Sequence, residues 1–156
     1  MRNWLRGKYV VLTGASGGIG RQLCKILIVK YGANVIGIGR SEEKMRSLKE
    51  ELAQNGDKFS YDLFDVSERE NWQSFCLKLE LENVTPILLI NNAGAFPTFN
   101  KTLNTPVETM ERIIKINYLS AVYAIDTLKD IIKGEGKNKP AIVNIASSAA
   151  LCTVAG

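Results

Sequence analysis

The chain has 156 residues, 46% hydrophobic and 23% charged, which suits one soluble globular domain. Its 20 basic and 16 acidic residues leave a net charge of +4, scattered singly among glutamates, so no basic cluster offers a nucleic-acid face. The absence of histidine excludes Ser-His-Asp and Cys-His catalysis and His-ligated zinc within the chain, so any general acid or base is Tyr, Lys, Cys, Asp or Glu.

Residues 9–13 read as a short buried strand between Gly7 and Gly14. Ile19, Leu23, Ile26 and Leu27 then recur at helical spacing, and Gly32 ends that helix. Residues 35–38 form a second strand. Ser41 caps the next helix, with Glu42 and Glu43 in its first turn and Met45, Leu48 and Leu52 as its buried stripe. Asn55-Gly56 is a turn, and residues 58–63 are a third strand. Ser67 is placed to cap a helix carrying Trp72, Phe75 and Leu79. Pro86 leads into a fourth strand over 87–90, and a polar loop covers 91–106. A long helix over 107–133 shows one stripe of Met110, Ile113, Ile114, Asn117, Tyr118, Ala121, Val122 and Ile125, which puts Asn117 on the buried face. Residues 134–140 turn, and residues 141–146 are a fifth strand. The alternation predicts an α/β fold of three layers, a parallel sheet covered by helices on both faces, since the strands are continuous apolar runs.

Between the first strand and the first helix stands Thr13-Gly14-Ala15-Ser16-Gly17-Gly18-Ile19-Gly20. Glycines here let the backbone turn tightly and approach a pyrophosphate, and the helix N-terminus offers unpaired N–H groups to it. The segment resembles the T-G-x-x-x-G-x-G cofactor motif of the short-chain dehydrogenase/reductase family. Three further matches follow in the family's order. Asn91-Asn92-Ala93-Gly94 follows the fourth strand, Asn117 sits in the long helix, and Ser147-Ser148 ends the fifth strand.

The resemblance covers essentially the whole chain. It implies a single NAD(P)-binding Rossmann domain over 1–156 with the family's strand order 3-2-1-4-5. It implies cofactor contacts from Gly14, Ser16, Gly17, Gly18, Ile19 and Gly20, from Asp65 at the adenine with Val66 beside it, and from Asn92, Ala93 and Gly94. Gly39 stands where the family's NAD-selecting acid usually falls, so NADP(H) is favoured over NAD(H). Arg40 then binds a 2′-phosphate through two hydrogen bonds or stacks on adenine, and Ser41 donates another bond. The resemblance makes Asn117 and Ser148 catalytic. Asn117 holds a relay water, or else is a core amide bonded to nearby backbone, and Ser148 holds the substrate oxygen.

The family's remaining motif is Tyr-x-x-x-Lys, and none of Tyr9, Tyr31, Tyr61, Tyr118 or Tyr123 has Lys four residues on. The chain ends before the position where that motif and the last strands are expected. The domain is therefore expected to be incomplete at its C-terminus, to bind dinucleotide in part and to transfer hydride slowly. A cofactor-sensing or scaffolding module without catalysis is the alternative.

Cys24, Cys76 and Cys152 are far apart and odd in number, which argues against a disulfide framework. No secretory leader opens the chain and no apolar run approaches the ~18 residues of a membrane span, so the cytoplasm is expected. The expected partner is a small carbonyl or alcohol substrate, with homo-oligomers in the full-length form and no nucleic acid, membrane or metal.

Overall fold

The structure is a computed structural model that describes residues 4–96, 104–134 and 136–148. Its strands are β1 (Tyr9–Thr13), β2 (Asn34–Gly39), β3 (Phe59–Leu63), β4 (Pro86–Asn91) and β5 (Ala141–Asn144). They pair in parallel in the order β3-β2-β1-β4-β5. Thr13 lies opposite Ile38, and Leu12 lies opposite Ile90. The turns after β1, β2 and β4 therefore open along one edge, where open α/β sheets gather their ligands.

Among the described residues, five α-helical segments connect the strands: α1 (Gly18–Lys25), α2 (Glu42–Glu51), α3 (Arg69–Leu81), α4 (Val107–Ile114) and α5 (Ser120–Leu128). Side chains of a strand alternate between faces, and both faces are covered. Val10, Leu12 and Val35 pack with Cys24, Leu27, Met45, Leu48 and Phe59 on one side. Val11, Ile36 and Ile38 pack with Trp72, Phe75, Leu79, Ala124 and Leu128 on the other. Trp72 also donates its indole N–H to the Val66 carbonyl at 2.9 Å, so its burial leaves no orphan donor. Among the described residues no helix is long and apolar enough to cross a membrane.

Four details differ from the pattern read off the sequence. First, α1 does not bury Ile19 and Ile26; its inner line is Gly20, Cys24, Leu27 and Ile28. Gly20 must face the glycine turn closely, and that rotation carries Ile19 outward to 63% exposure. The last turn of this helix widens to a π-turn over Ile26–Lys30 before Gly32 (φ 64°) reverses the chain.

Second, Ser67 does not cap α3. Its N–H and hydroxyl both donate to Asp65 Oδ1, at 3.0 and 2.7 Å, and Glu68 takes the cap position. Third, the long helix is not α throughout and ends earlier than expected: α4 passes through a π-turn at Lys115–Leu119 into α5, which ends at Leu128. Its buried line is Ile116, Ser120, Ala124, Leu128 and Ile132. Asn117 is exposed, as are Ile114, Tyr118 and Val122. Helical apolar stripes run down two sides of this segment, and only one packs on the sheet. Fourth, the fifth strand is shorter than expected, although the Ile145 N–H still donates to the Asn91 carbonyl at 2.8 Å.

Candidate functional site

Thr13 ends β1 almost fully buried, and its hydroxyl oxygen accepts from the N–H groups of Asn92 and Ala93, both at 2.9 Å. The Asn92 amide in turn donates to the carbonyls of Thr13 and Gly14, at 3.0 and 3.3 Å. These four bonds tie the end of β1 to the end of β4. They leave the backbone between them as the floor of a cavity of about 490 Å3.

The glycine turn forms one wall. Gly14 adopts φ 63°, and a β-carbon there would meet Ala93 Cα and Asn92 Nδ2 at 3.0 Å. Both the left-handed conformation and the close approach demand glycine. Gly20 lies against the same turn: a β-carbon would sit 2.1 Å from the Gly14 carbonyl oxygen. Gly18 is different, because nothing lies within 4 Å of the position a β-carbon would take. There the protein packing asks for no glycine; the open space belongs to the cavity. The α1 N-terminus points its N–H groups and the positive end of its dipole at this space, a geometry suited to a phosphate.

Of the residues expected to hold a cofactor, Gly14, Ser16, Gly17, Gly18, Ile19, Gly20, Arg40, Asp65, Val66, Asn92, Ala93 and Gly94 all line this cavity. Ser41 does not line it. Its hydroxyl caps α2, accepting the Lys44 N–H at 3.3 Å. Asn117 and Ser148 also stand outside the lining; both are exposed. The Asn117 amide grips the backbone of Ala95, accepting its N–H at 2.7 Å and donating to its carbonyl at 2.9 Å. Ala95 does line the cavity, so Asn117 shapes the site through the loop it holds. This corrects the expected buried placement of Asn117: its partner is nearby backbone, but at the surface.

The structure adds residues that the sequence did not single out. Ile38, Lys44, Phe64, Ala95 and Ile116 also line the cavity, beside the Gly39 already read at the end of the second strand. Lys44 was legible as the residue three beyond the cap Ser41, hence on the same turn of helix. Ile116 was not legible, because the stripe assigned to the helix ran through Asn117. A second hollow of about 410 Å3 adjoins the first, shares Arg40, Ala95 and Ile116 with it, and adds Arg112 and Phe96.

The charged residues lining the cavity are Arg40, Lys44 and Asp65, and Arg40 pairs with Asp65 at 3.5 Å. Burial pushes the Asp65 carboxyl up, but the Ser67 N–H and hydroxyl, Arg40 and Arg112 together outweigh it, and its pKa lies below the ordinary aspartate value. Asp65 is therefore an anion at neutral pH, an acceptor for an N–H donor in the cavity. Cys24 lies beneath the turn with its thiol pushed up to about 12 by burial, which makes it packing material and no nucleophile. Among the described residues no group of three or more Cys, Asp or Glu is placed to hold a metal ion.

Comparison with known proteins bears on the family and the fold. The family model described as short chain dehydrogenase matches residues 8–156. A 3beta-hydroxysteroid dehydrogenase 2 of Eggerthella lenta is 30% identical over 97% of this chain and 58% of its own length. A 3-ketodihydrosphingosine reductase of Bos taurus is 33% identical over 81% of this chain and 40% of its own. Among solved structures, serine dehydrogenase from Escherichia coli superposes with a TM-score of 0.81 at 28% identity, covering 95% of this chain and 66% of that one. The Pseudomonas aeruginosa RhlG/NADP complex gives 0.87 at 24% identity over 100% and 61%, a likeness of fold. Across the curated relatives compared, the chain spans between 25% and 58% of their own length.

Proposed function

From its membership of the short-chain dehydrogenase/reductase family, we propose that this chain forms the cofactor-binding part of an NADP(H)-dependent oxidoreductase acting on a carbonyl or alcohol substrate. The family uses a nicotinamide dinucleotide, which supplies or accepts the hydride when bound. The cavity fits such a group: an open glycine turn at a helix N-terminus, an anionic Asp65 at the far end, and a floor fixed by Thr13 and Asn92. The relatives' names, a hydroxysteroid dehydrogenase, a ketosphingoid reductase and a benzil reductase, support a ketone or secondary alcohol as the small-molecule substrate.

The observation that carries the NADP(H) preference is Gly39. A β-carbon there would lie 2.5 Å from Met45 Cε and 3.5 Å from Ser16 Oγ, so the position is crowded and bears no acid. A carboxylate that would bond a ribose 2′-hydroxyl and repel a 2′-phosphate is absent from it. Arg40 stands next to it with its side chain 59% exposed, and its pair with Asp65 is at the surface, where such pairs are worth only about 0–1 kcal/mol. Turning the guanidinium onto a phosphate therefore costs little and gains a bidentate, charge-assisted contact.

In this reading Gly17, Gly18 and Ile19 present backbone to the pyrophosphate, and Asp65 with Val66 meets the adenine. Asn117 holds the Ala95 loop in register with the cofactor, and Ser148 bonds the substrate oxygen. These 156 residues hold no Tyr with Lys four positions on. The acid/base pair must come from outside them for turnover, and the same fact favours a second reading, a module that binds cofactor without catalysis. Equilibrium titration of the intact protein with NADPH and NADH, followed by assay on simple ketones, separates these. Tighter NADPH binding with turnover supports the enzyme, NADPH binding without turnover supports the module, and tighter NADH binding overturns the cofactor assignment.

A further inference from the structure

We propose that Lys44 is the second cation of the 2′-phosphate subsite and shares with Arg40 the selection of NADP(H); the inference rests on the NADP(H) reading above. Lys44 lines the cavity together with Ser16, Gly39 and Arg40, the residues around the crowded glycine at the end of β2. Gly17, inside the phosphate turn, supplies no charge. The second positive group therefore comes from the opposite wall, from α2.

The backbone of Lys44 is held from two sides. Its N–H donates to the Ser41 hydroxyl at 3.3 Å, and its carbonyl accepts from Arg21 Nη1 at 3.4 Å. Arg21 belongs to α1, the helix that leaves the glycine turn, and it also donates to Ser47 Oγ at 2.9 Å and pairs with Glu51. The turn of α2 that carries Lys44 is thus fastened to the turn that faces the phosphates. Among the described residues Arg21 and Lys25 are paired with Glu51, Arg46 with Glu42 and Arg40 with Asp65, while Lys44 has no ion pair.

A 2′-phosphate adds close to two negative charges near neutral pH, more than one guanidinium offsets, least of all one that also faces Asp65. An ammonium on a flexible stem meets a phosphate as a point charge without strict geometry. A ribose 2′-hydroxyl carries no charge and gains nothing comparable from it. Lys44 therefore discriminates between the two cofactors, where the N–H groups of the glycine turn, facing the pyrophosphate common to both, do not.

The test uses the intact protein and its Lys44→Ala and Lys44→Arg variants, with dissociation constants measured for NADPH, NADH and adenosine 2′,5′-bisphosphate. Lys44→Ala is expected to weaken NADPH and the bisphosphate by about 5- to 20-fold, the scale of one charge-assisted bond screened at a rim. NADH should change less than twofold, and Lys44→Arg should restore most of the loss. Lys44 is exposed, so unfolding temperatures should match the parent and exclude a fold defect. If the parent prefers NADPH and Lys44→Ala keeps that preference undiminished, the inference fails and the functional reading stands. Equal losses for NADH and NADPH also overturn it. A parent without NADPH preference overturns both.

Discussion

A methyl group at position 20 would have to occupy space 2.1 Å from the Gly14 carbonyl oxygen, whereas one at position 18 would touch nothing within 4 Å. Two glycines of one turn therefore serve different ends. Gly20 lets α1 seat against the turn; Gly18 keeps the cavity clear for a ligand. Substituting each with alanine separates the roles. Gly20→Ala is expected to destabilise the fold by about 1–3 kcal/mol through overpacking, only partly offset by alanine's better helix propensity. Gly18→Ala should leave stability unchanged or slightly raised, because its site is helical and open, yet weaken the dinucleotide about tenfold or more by displacing a charge-assisted N–H contact. Chemical denaturation and NADPH titration of both variants check this; a Gly18→Ala protein that binds normally would show that the backbone at 18 does not meet the phosphates. Asn117 teaches a related lesson. Its place in the helix after the fourth strand was legible from the motif order, but its exposure and its partner, the Ala95 backbone, were not, because a hydrogen bond between residues 22 apart leaves no trace in local pattern.

At the scale of elements, strands were easier to read than helices. The central strands β1, β2 and β4 are short apolar runs whose period of two needs no choice of face, because both faces are buried. The segment through α4 and α5 bears apolar residues on two stripes, and periodicity alone cannot say which one meets the sheet. Its π-turn at Lys115–Leu119 shifts the phase between the two halves as well. The contact between α1 and α2 was equally invisible, since Arg21, Lys25 and Glu51 look like ordinary surface charges. In the structure Glu51 draws both cations, and hydrogen bonds first from Arg21 and then from Lys25 hold its pKa down at about 2, against an ordinary 4.5. A carboxyl with a depressed folded pKa contributes stability that is present above its unfolded value and lost as pH falls through its folded one. Glu51 should therefore favour the folded state fully at neutral pH and progressively less between about pH 4.5 and 2. Denaturant unfolding of the parent and Glu51→Gln at pH 7 and pH 3 measures this. The parent's advantage should shrink at the lower pH; a constant difference would mean that the carboxylate charge is not what joins the two helices.

On the scale of the whole molecule the two edges of the sheet are unlike. At the β3 edge Asp62 is paired with Lys78 at 2.7 Å, and Ser60 is exposed, so charge and polarity blunt pairing with another strand. At the β5 edge Ile142 and Val143 are 42% and 40% exposed, and Ile145 continues the apolar run. The backbone there has one hydrogen-bonded neighbour, β4, among the described residues. Ile114, Tyr118 and Val122 add a further exposed apolar line on the helix. An unprotected apolar edge pairs readily with another chain, and larger exposed apolar patches favour association. These 156 residues, produced by themselves, are accordingly expected to self-associate, with apparent mass rising with concentration in light scattering. Ile142→Lys should reduce that association by placing a charge on the edge, while leaving the cofactor cavity, which Ile142 does not line, untouched. A monomer that persists at high concentration would show that the β5 edge is already protected. Association undiminished by Ile142→Lys would shift the contact to the exposed helical line, for which Tyr118→Lys is the corresponding probe.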